Sequence, residues 1–173
     1  MRSTLCLSTV VFIAFITACS TDVTSPAASP ASQVSSLVAG PWGPETPPFN
    51  NEIILRGDGF GHIKFRQPND GNRIVYLDTW VRDLAPNTAY RLQRAVDANV
   101  DDDCTSTSWL TLGKGTVAQA IVTDENGTGR EDLWRDLGAF APGATFDIHF
   151  RLINATTSAV VLTSDCYQFV VSQ

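Results

Sequence analysis

The chain has little of what most catalytic and metal sites are built from. Its only histidines are His62 and His149, far apart in sequence. They cannot form the H-E-x-x-H pair with which a metalloprotease helix holds zinc. There is no G-x-S-x-G nucleophile elbow and no glycine loop of the kind that cradles phosphates. The cysteines stand at positions 6, 19, 104 and 166, without the close C-x-x-C spacing of a redox pair. Positive charge is also short, with 12 Lys and Arg against 18 Asp and Glu and a formal net charge of −6. Such a surface repels nucleic acid, which excludes it as a partner. These deficits argue against an enzyme. Carboxylates are plentiful enough to keep one enzymatic alternative, a hydrolase built on a paired-carboxylate site.

Long apolar runs are missing as well. The longest, residues 5–16, is broken by Cys6, Ser8 and Thr9. Crossing a bilayer as a helix takes about 20 apolar residues, whereas a run of this length behind a single charge at Arg2 has the form of a secretory signal. It ends in Ile16-Thr17-Ala18-Cys19. That stretch resembles the lipobox of bacterial lipoproteins, an aliphatic residue and two small ones before a cysteine. The resemblance covers residues 1–19, with Ile16 where leucine is commonest. It implies that residues 1–18 are a signal peptide, that Cys19 becomes the acylated N-terminus, and that the membrane is a partner through the lipid. Ser20 follows where the inner-membrane retention signal of that family is usually Asp. The implied address is therefore the cell envelope, at the outer membrane in an organism that has one. The rival is ordinary signal-peptidase cleavage after Ala18. It leaves Cys19 as an odd free thiol in an oxidising compartment once Cys104 and Cys166 pair. Loss of Arg2 with the signal would move the formal charge from −6 to −7.

Residues 20–48 are dominated by Ser, Thr, Ala and Pro and hold most of the prolines. Such a segment buries too little apolar surface to offset its ordering entropy, so residues 19–49 read as a lipidated, flexible tether. Trp42 and Phe49 stand out in it as side chains able to dock on the domain that follows. Residues 50–173 are long enough for one core of their own. Their pattern is β. Ile148, Phe150 and Leu152 alternate with His149 and Arg151, Ile63 and Phe65 with Lys64 and Arg66, and Tyr90, Leu92 and Val96 with Arg91, Gln93 and Ala95. Further strands are expected at 52–56, 73–81, 109–112, 117–122, 159–163 and 167–171. Turn signals separate them, among them Gly57-Asp58-Gly59, Pro68-Asn69-Asp70-Gly71 and Asn126-Gly127. One segment dissents. Thr128 and Glu131 have capping-box spacing, and Leu133, Trp134 and Leu137 have helical spacing, so a short helix over 129–137 is one reading of it. Leu84-Ala85-Pro86-Asn87-Thr88-Ala89-Tyr90 resembles the strand corner of fibronectin type III and related immunoglobulin-like sandwiches. The expected fold is therefore all-β, an antiparallel immunoglobulin-like β-sandwich with one disulfide and at most one short helix.

Cys104 and Cys166 are the expected disulfide, closing a long loop. Asp97, Asn99 and Asp101 put oxygen ligands at alternate positions, as in loops that wrap Ca²⁺, with Asp102 or Asp103 as additional ligands. The glycine and glutamate that complete such a loop are replaced by Asp102 and Ser108. The competing reading is a solvated acidic turn with no cofactor. The expected strand 73–81 is apolar on both faces, Val75, Leu77 and Val81 on one and Ile74, Tyr76 and Trp80 on the other. Tyr76 and Trp80 are accordingly candidates for a surface that meets a sugar ring or a protein, unless the tether covers them. Taken together, these features predict a lipid-anchored, non-enzymatic envelope domain for binding or structural support. The alternatives are a calcium-assisted carbohydrate- or protein-binding module and the carboxylate hydrolase.

Overall fold

The computed structural model of the protein describes residues 50–172. Among them there is no helix. The strands are β1 (Asn50–Gly57), β2 (Phe60–Arg66), β3 (Ile74–Arg82), β4 (Ala89–Asp97), β5 (Leu110–Thr111), β6 (Gly113–Lys114), β7 (Val117–Ala118), β8 (Ile121–Val122), β9 (Gly129–Asp136), β10 (Thr145–Asn154), β11 (Val160–Ser164) and β12 (Tyr167–Val170). The first three form an antiparallel meander whose period of two puts Ile53 and Leu55, Ile63 and Phe65, and Val75, Leu77 and Val81 into the core. The turns between them fall at the Gly-Asp-Gly and Pro-Asn-Asp-Gly signals.

β9 continues this sheet, pairing antiparallel with β3 from Val81↔Gly129 to Ile74↔Asp136. The helix considered for 129–137 is thus a strand. Thr128 does not cap a helix, because its N–H donates to Asp124 Oδ1 (2.9 Å) inside the Asn126-Gly127 hairpin. Leu133 faces the core and Trp134 faces out, an alternation that the helical spacing of the same residues concealed. Gly127 takes φ +75° at that turn, a conformation a β-carbon would strain.

On the opposite side β10 is the central strand. It pairs with β4 from Asp147 to Asn154, with β12 near its start and with β11 near its end, where the register shifts between Leu152 and Ile153. β11 then pairs with β1, joining the two halves. The strand path ends at β5 beside β4 and, beyond β9, at β6 and β7. β5 and β6 are separated only by Leu112, whose N–H donates to Leu92 O (2.9 Å). One short segment therefore bridges β4 and β9, and the antiparallel sandwich closes almost into a barrel. The only parallel pairing described is the single bridge Lys114↔Trp134 between β6 and β9.

The expected strand corner is present. Leu84 is buried, Tyr90 is buried, and the Tyr90 hydroxyl accepts the Ala85 N–H (3.1 Å). This is the tyrosine-corner arrangement of β-sandwiches. Thr123 Oγ1 reinforces it from β8, donating to Ala85 O (2.7 Å) and accepting from Thr88 N (3.0 Å). At the other end of the core four phenylalanines meet edge to face or tilted. Phe65 and Phe169 have ring centroids 4.8 Å apart, Phe146 and Phe169 5.2 Å, and Phe65 and Phe150 6.3 Å. Burying such a side chain stabilises by roughly 1.5–3 kcal/mol.

Candidate functional site

The acidic loop and the disulfide belong to one construction. Residues 98–109 cross the outer face of β4 and β10 as a flap, which Cys104–Cys166 fastens at a Cα separation of 5.4 Å. Beneath the flap Asp147 is fully buried, directly opposite Asp97 in the β4–β10 register. Its Oδ2 accepts the N–H groups of Asp101 (2.9 Å) and Asp102 (2.8 Å). Asp102 is left-handed (φ +62°), and successive N–H groups around such a residue make a small anion-binding concavity. Asp97 accepts from Thr105 Oγ1 and Ser106 N (each 3.2 Å), and Asp101 Oδ1 from Asp103 N (3.2 Å). The loop's carboxylates thus hold the loop's own backbone. Among the described residues no three His, Cys, Asp or Glu side chains are grouped so as to hold a metal ion. Asn99 is exposed.

His149, expected on a solvated face, lies half-buried under the same flap. Its ring is 4.6 Å from that of Trp109, and its Nε2 is 3.0 Å from Ser106 O. The Arg151 guanidinium lies 4.0 Å from the Trp109 ring on a half-buried side chain whose Nε donates to Gln93 Oε1 (2.7 Å). Among the described residues neither histidine ring hydrogen-bonds a serine, threonine or cysteine side chain. His62 faces Glu52 (3.6 Å) on the outer surface.

The outward face of β3 separates the two residues expected to form a binding surface. Trp80 packs edge-on against Phe60 (6.2 Å), with Arg82 over both rings. Tyr76 stands nearer the opposite end of the strand, beside its cross-strand partner Trp134, and both are more than a third exposed. Between the two pairs lies the Asp78–Arg130 bridge, bidentate at 2.9 and 2.7 Å. The exposed aromatic shelf is therefore Tyr76 with Trp134, backed by Gly115, over which the indole lies so closely that a β-carbon would collide with it.

The feature that the sequence pattern did not bring out lies inside. At the end of the barrel holding the phenylalanine cluster is a cavity of about 220 Å³, lined by Phe65, Leu77, Val96, Leu112, Phe146 and Phe169 among others. Two arginines also line it, Arg94 from β4 and Arg135 from β9. Both occupy inward positions of their strands. Arg94 pairs with Phe150 between Leu92 and Val96, and Arg135 pairs with Val75 two residues after Leu133. Arg135 donates to Gly115 O (3.0 Å). The Arg94 side chain makes no hydrogen bond or ion pair with any described residue, and no carboxylate of the described residues lies within 4.0 Å of either guanidinium. Burial, and secondarily the charge of Arg135, lowers the Arg94 pKa below its ordinary value. A signal for Arg94 was present in the sequence, as a charge at an inward position of the 90–96 alternation. The signal for Arg135 was masked by the helical reading of its segment.

Cys19, Trp42 and Phe49 lie outside the described residues. No protein-family model matches the chain, and no curated protein matches it significantly in sequence.

Proposed function

We propose that this is a lipid-anchored cell-envelope protein whose β-domain acts by binding rather than catalysis, with a small apolar ligand entering the barrel-end cavity. The lipobox-like run and the odd cysteine support the anchor, and residues 20–48 supply the spacer. The cavity carries the binding reading. Protein interiors are close-packed, with few voids larger than a water molecule, and an engineered apolar cavity of about 150 Å³ is already enough to take up benzene. A space of about 220 Å³ walled by phenylalanine and aliphatic side chains exceeds that. It lies where the bridge between β4 and β9 ends. Leu110 and Thr111 cover β4 only as far as Arg94, and on the β9 side the backbone pairs at Trp134.

A ligand that binds only the folded state raises stability by RT ln(1 + [L]/Kd). The test is the melting temperature of the full chain carrying Cys19→Ser, which removes the attachment point of any competing acyl chain, with and without 1-octanol. Val96→Trp places an indole at a half-buried cavity position and serves as the control. The expected result is an upward shift in the parent protein and none in the folded Val96→Trp variant. No shift in the parent, or an equal shift in both, would refute the cavity as a binding site.

A further inference from the structure

We infer that the cavity selects a ligand with an anionic end, an apolar monocarboxylate of about nine non-hydrogen atoms within the walls, and that Arg94 and Arg135 receive its carboxylate. The inference rests on the binding reading above and adds the chemical class of the ligand. Its size follows from the space. If about 150 Å³ holds the six carbons of benzene, about 220 Å³ holds half as many again. Apart from Arg94, Arg135 and Asp136 the walls are mainly apolar, and the phenylalanines present ring edges and faces that suit an alkyl chain or a single ring equally.

The charge follows from the arginines. A strand position between Leu92 and Val96, opposite Phe150, faces inward, and the half-buried Arg94 guanidinium gives up part of its hydration there with no hydrogen bond or ion pair from the described residues in return. Two guanidiniums facing one cavity also repel each other. Other inward or buried charges have partners: Glu131, inward on β9, takes Lys114 Nζ at 2.8 Å, and Asp147 Oδ2 takes two backbone N–H groups, although its Oδ1 has none. The Arg94 guanidinium has no partner among the described residues, and it faces the cavity. Asp136 also lines the space, but its Oδ1 already accepts the Gly138 N–H (2.7 Å), and it lies beyond ion-pair distance of both arginines. A carboxylate suits the pair because guanidinium donors match its two oxygens in a fork. Arg135 keeps one donor on Gly115 O, which fixes its direction, while Arg94 offers its full set.

The experiment compares octanoate, 1-octanol and octylammonium, molecules of similar length that differ in the charge of one end, by titration calorimetry on the full chain carrying Cys19→Ser. Octanoate is expected to bind at least tenfold more tightly than octanol, about 1.4 kcal/mol, and octylammonium more weakly than either. Arg94→Met should reduce the octanoate preference to less than twofold while leaving octanol binding in place, and Arg94→Lys should keep part of the preference. Equal affinity for octanoate and octanol in the parent protein would overturn the carboxylate assignment and leave the cavity reading standing. Binding of neither would remove both. If Arg94→Met fails to fold, Arg135→Met carries the same comparison. Octanoate binding indifferent to both substitutions would place the carboxylate elsewhere and overturn the inference.

Discussion

The Cys104–Cys166 bond closes a loop of 62 residues, half of the β-domain, and that length sets the expected effect of removing it. In the chain-entropy description a loop of this size removes roughly 14 cal/mol/K from the unfolded ensemble, or about 4 kcal/mol at 25 °C. On the folded side the flap keeps other attachments, the two N–H groups held by Asp147 and the Trp109 ring over His149. The bond is therefore not needed to place the flap, and the change should come mainly from the unfolded chain. The double variant Cys104→Ala/Cys166→Ala avoids a stray thiol. It should be less stable by about 4 kcal/mol and melt roughly 10–20 °C lower. Reversible urea unfolding gives the decisive signature, since a chain freed of its cross-link expands further and the m-value should rise along with the fall in midpoint. Loss of less than about 1 kcal/mol with an unchanged m-value would refute the reasoning, because the loop would then be constrained in the unfolded state without the bond.

The remaining predictions concern the anchor and the strand corner. Cys19→Ser should abolish metabolic labelling with a radioactive fatty acid and partition into detergent, and an unacylated parent N-terminus on intact-mass measurement would dismiss the lipoprotein proposal. Tyr90→Phe removes the hydroxyl that accepts the Ala85 N–H and leaves that donor part-buried and unpaired, so urea unfolding should show a loss of about 1–2 kcal/mol with little change in structure.

Wherever a strand has one face in the core and one in solvent, the alternation made it legible. The runs 63–66 and 146–152 are of this kind, and the corner at 84–90 announced itself through Leu, Pro and Tyr at fixed offsets. What could not be read was which strand lies beside which. The closure of β11 on β1 joins residues more than a hundred apart, and no local pattern encodes it. Two-residue strands such as β5 and β6 carry no period at all, although they close the barrel. The acidic run 97–103 suggested a cation because its oxygens alternate. In the fold Asp97 and Asp101 accept hydrogen bonds from within the loop, and the buried carboxylate that organises its backbone, Asp147, sits on a strand 46 residues from Asp101. His149 seemed exposed for the same reason, since alternation assigns a face but does not say what lies over it.

The bridge that closes the barrel also accounts for the position of the cavity. A sheet that closed by direct pairing of β4 with β9 would align Arg94 and Arg135 with backbone ladders and leave no gap between the strands. Here a short segment spans the seam instead, antiparallel to β4 at Leu110 and Thr111 and parallel to β9 at Lys114. Because β5 begins at Leu110, opposite Arg94, the bridge leaves Ala95 and Val96 without a paired neighbour on that side. Apolar side chains alone would be expected to collapse into such a gap, since each void forfeits contacts on its lining. Two like charges at its edges oppose that collapse by repulsion and by their demand for hydration. On the proposed reading the arginines help to hold the space open until something of opposite charge enters it. The same groups would then weaken the empty domain and strengthen the occupied one, the trade between stability and function that binding sites commonly show.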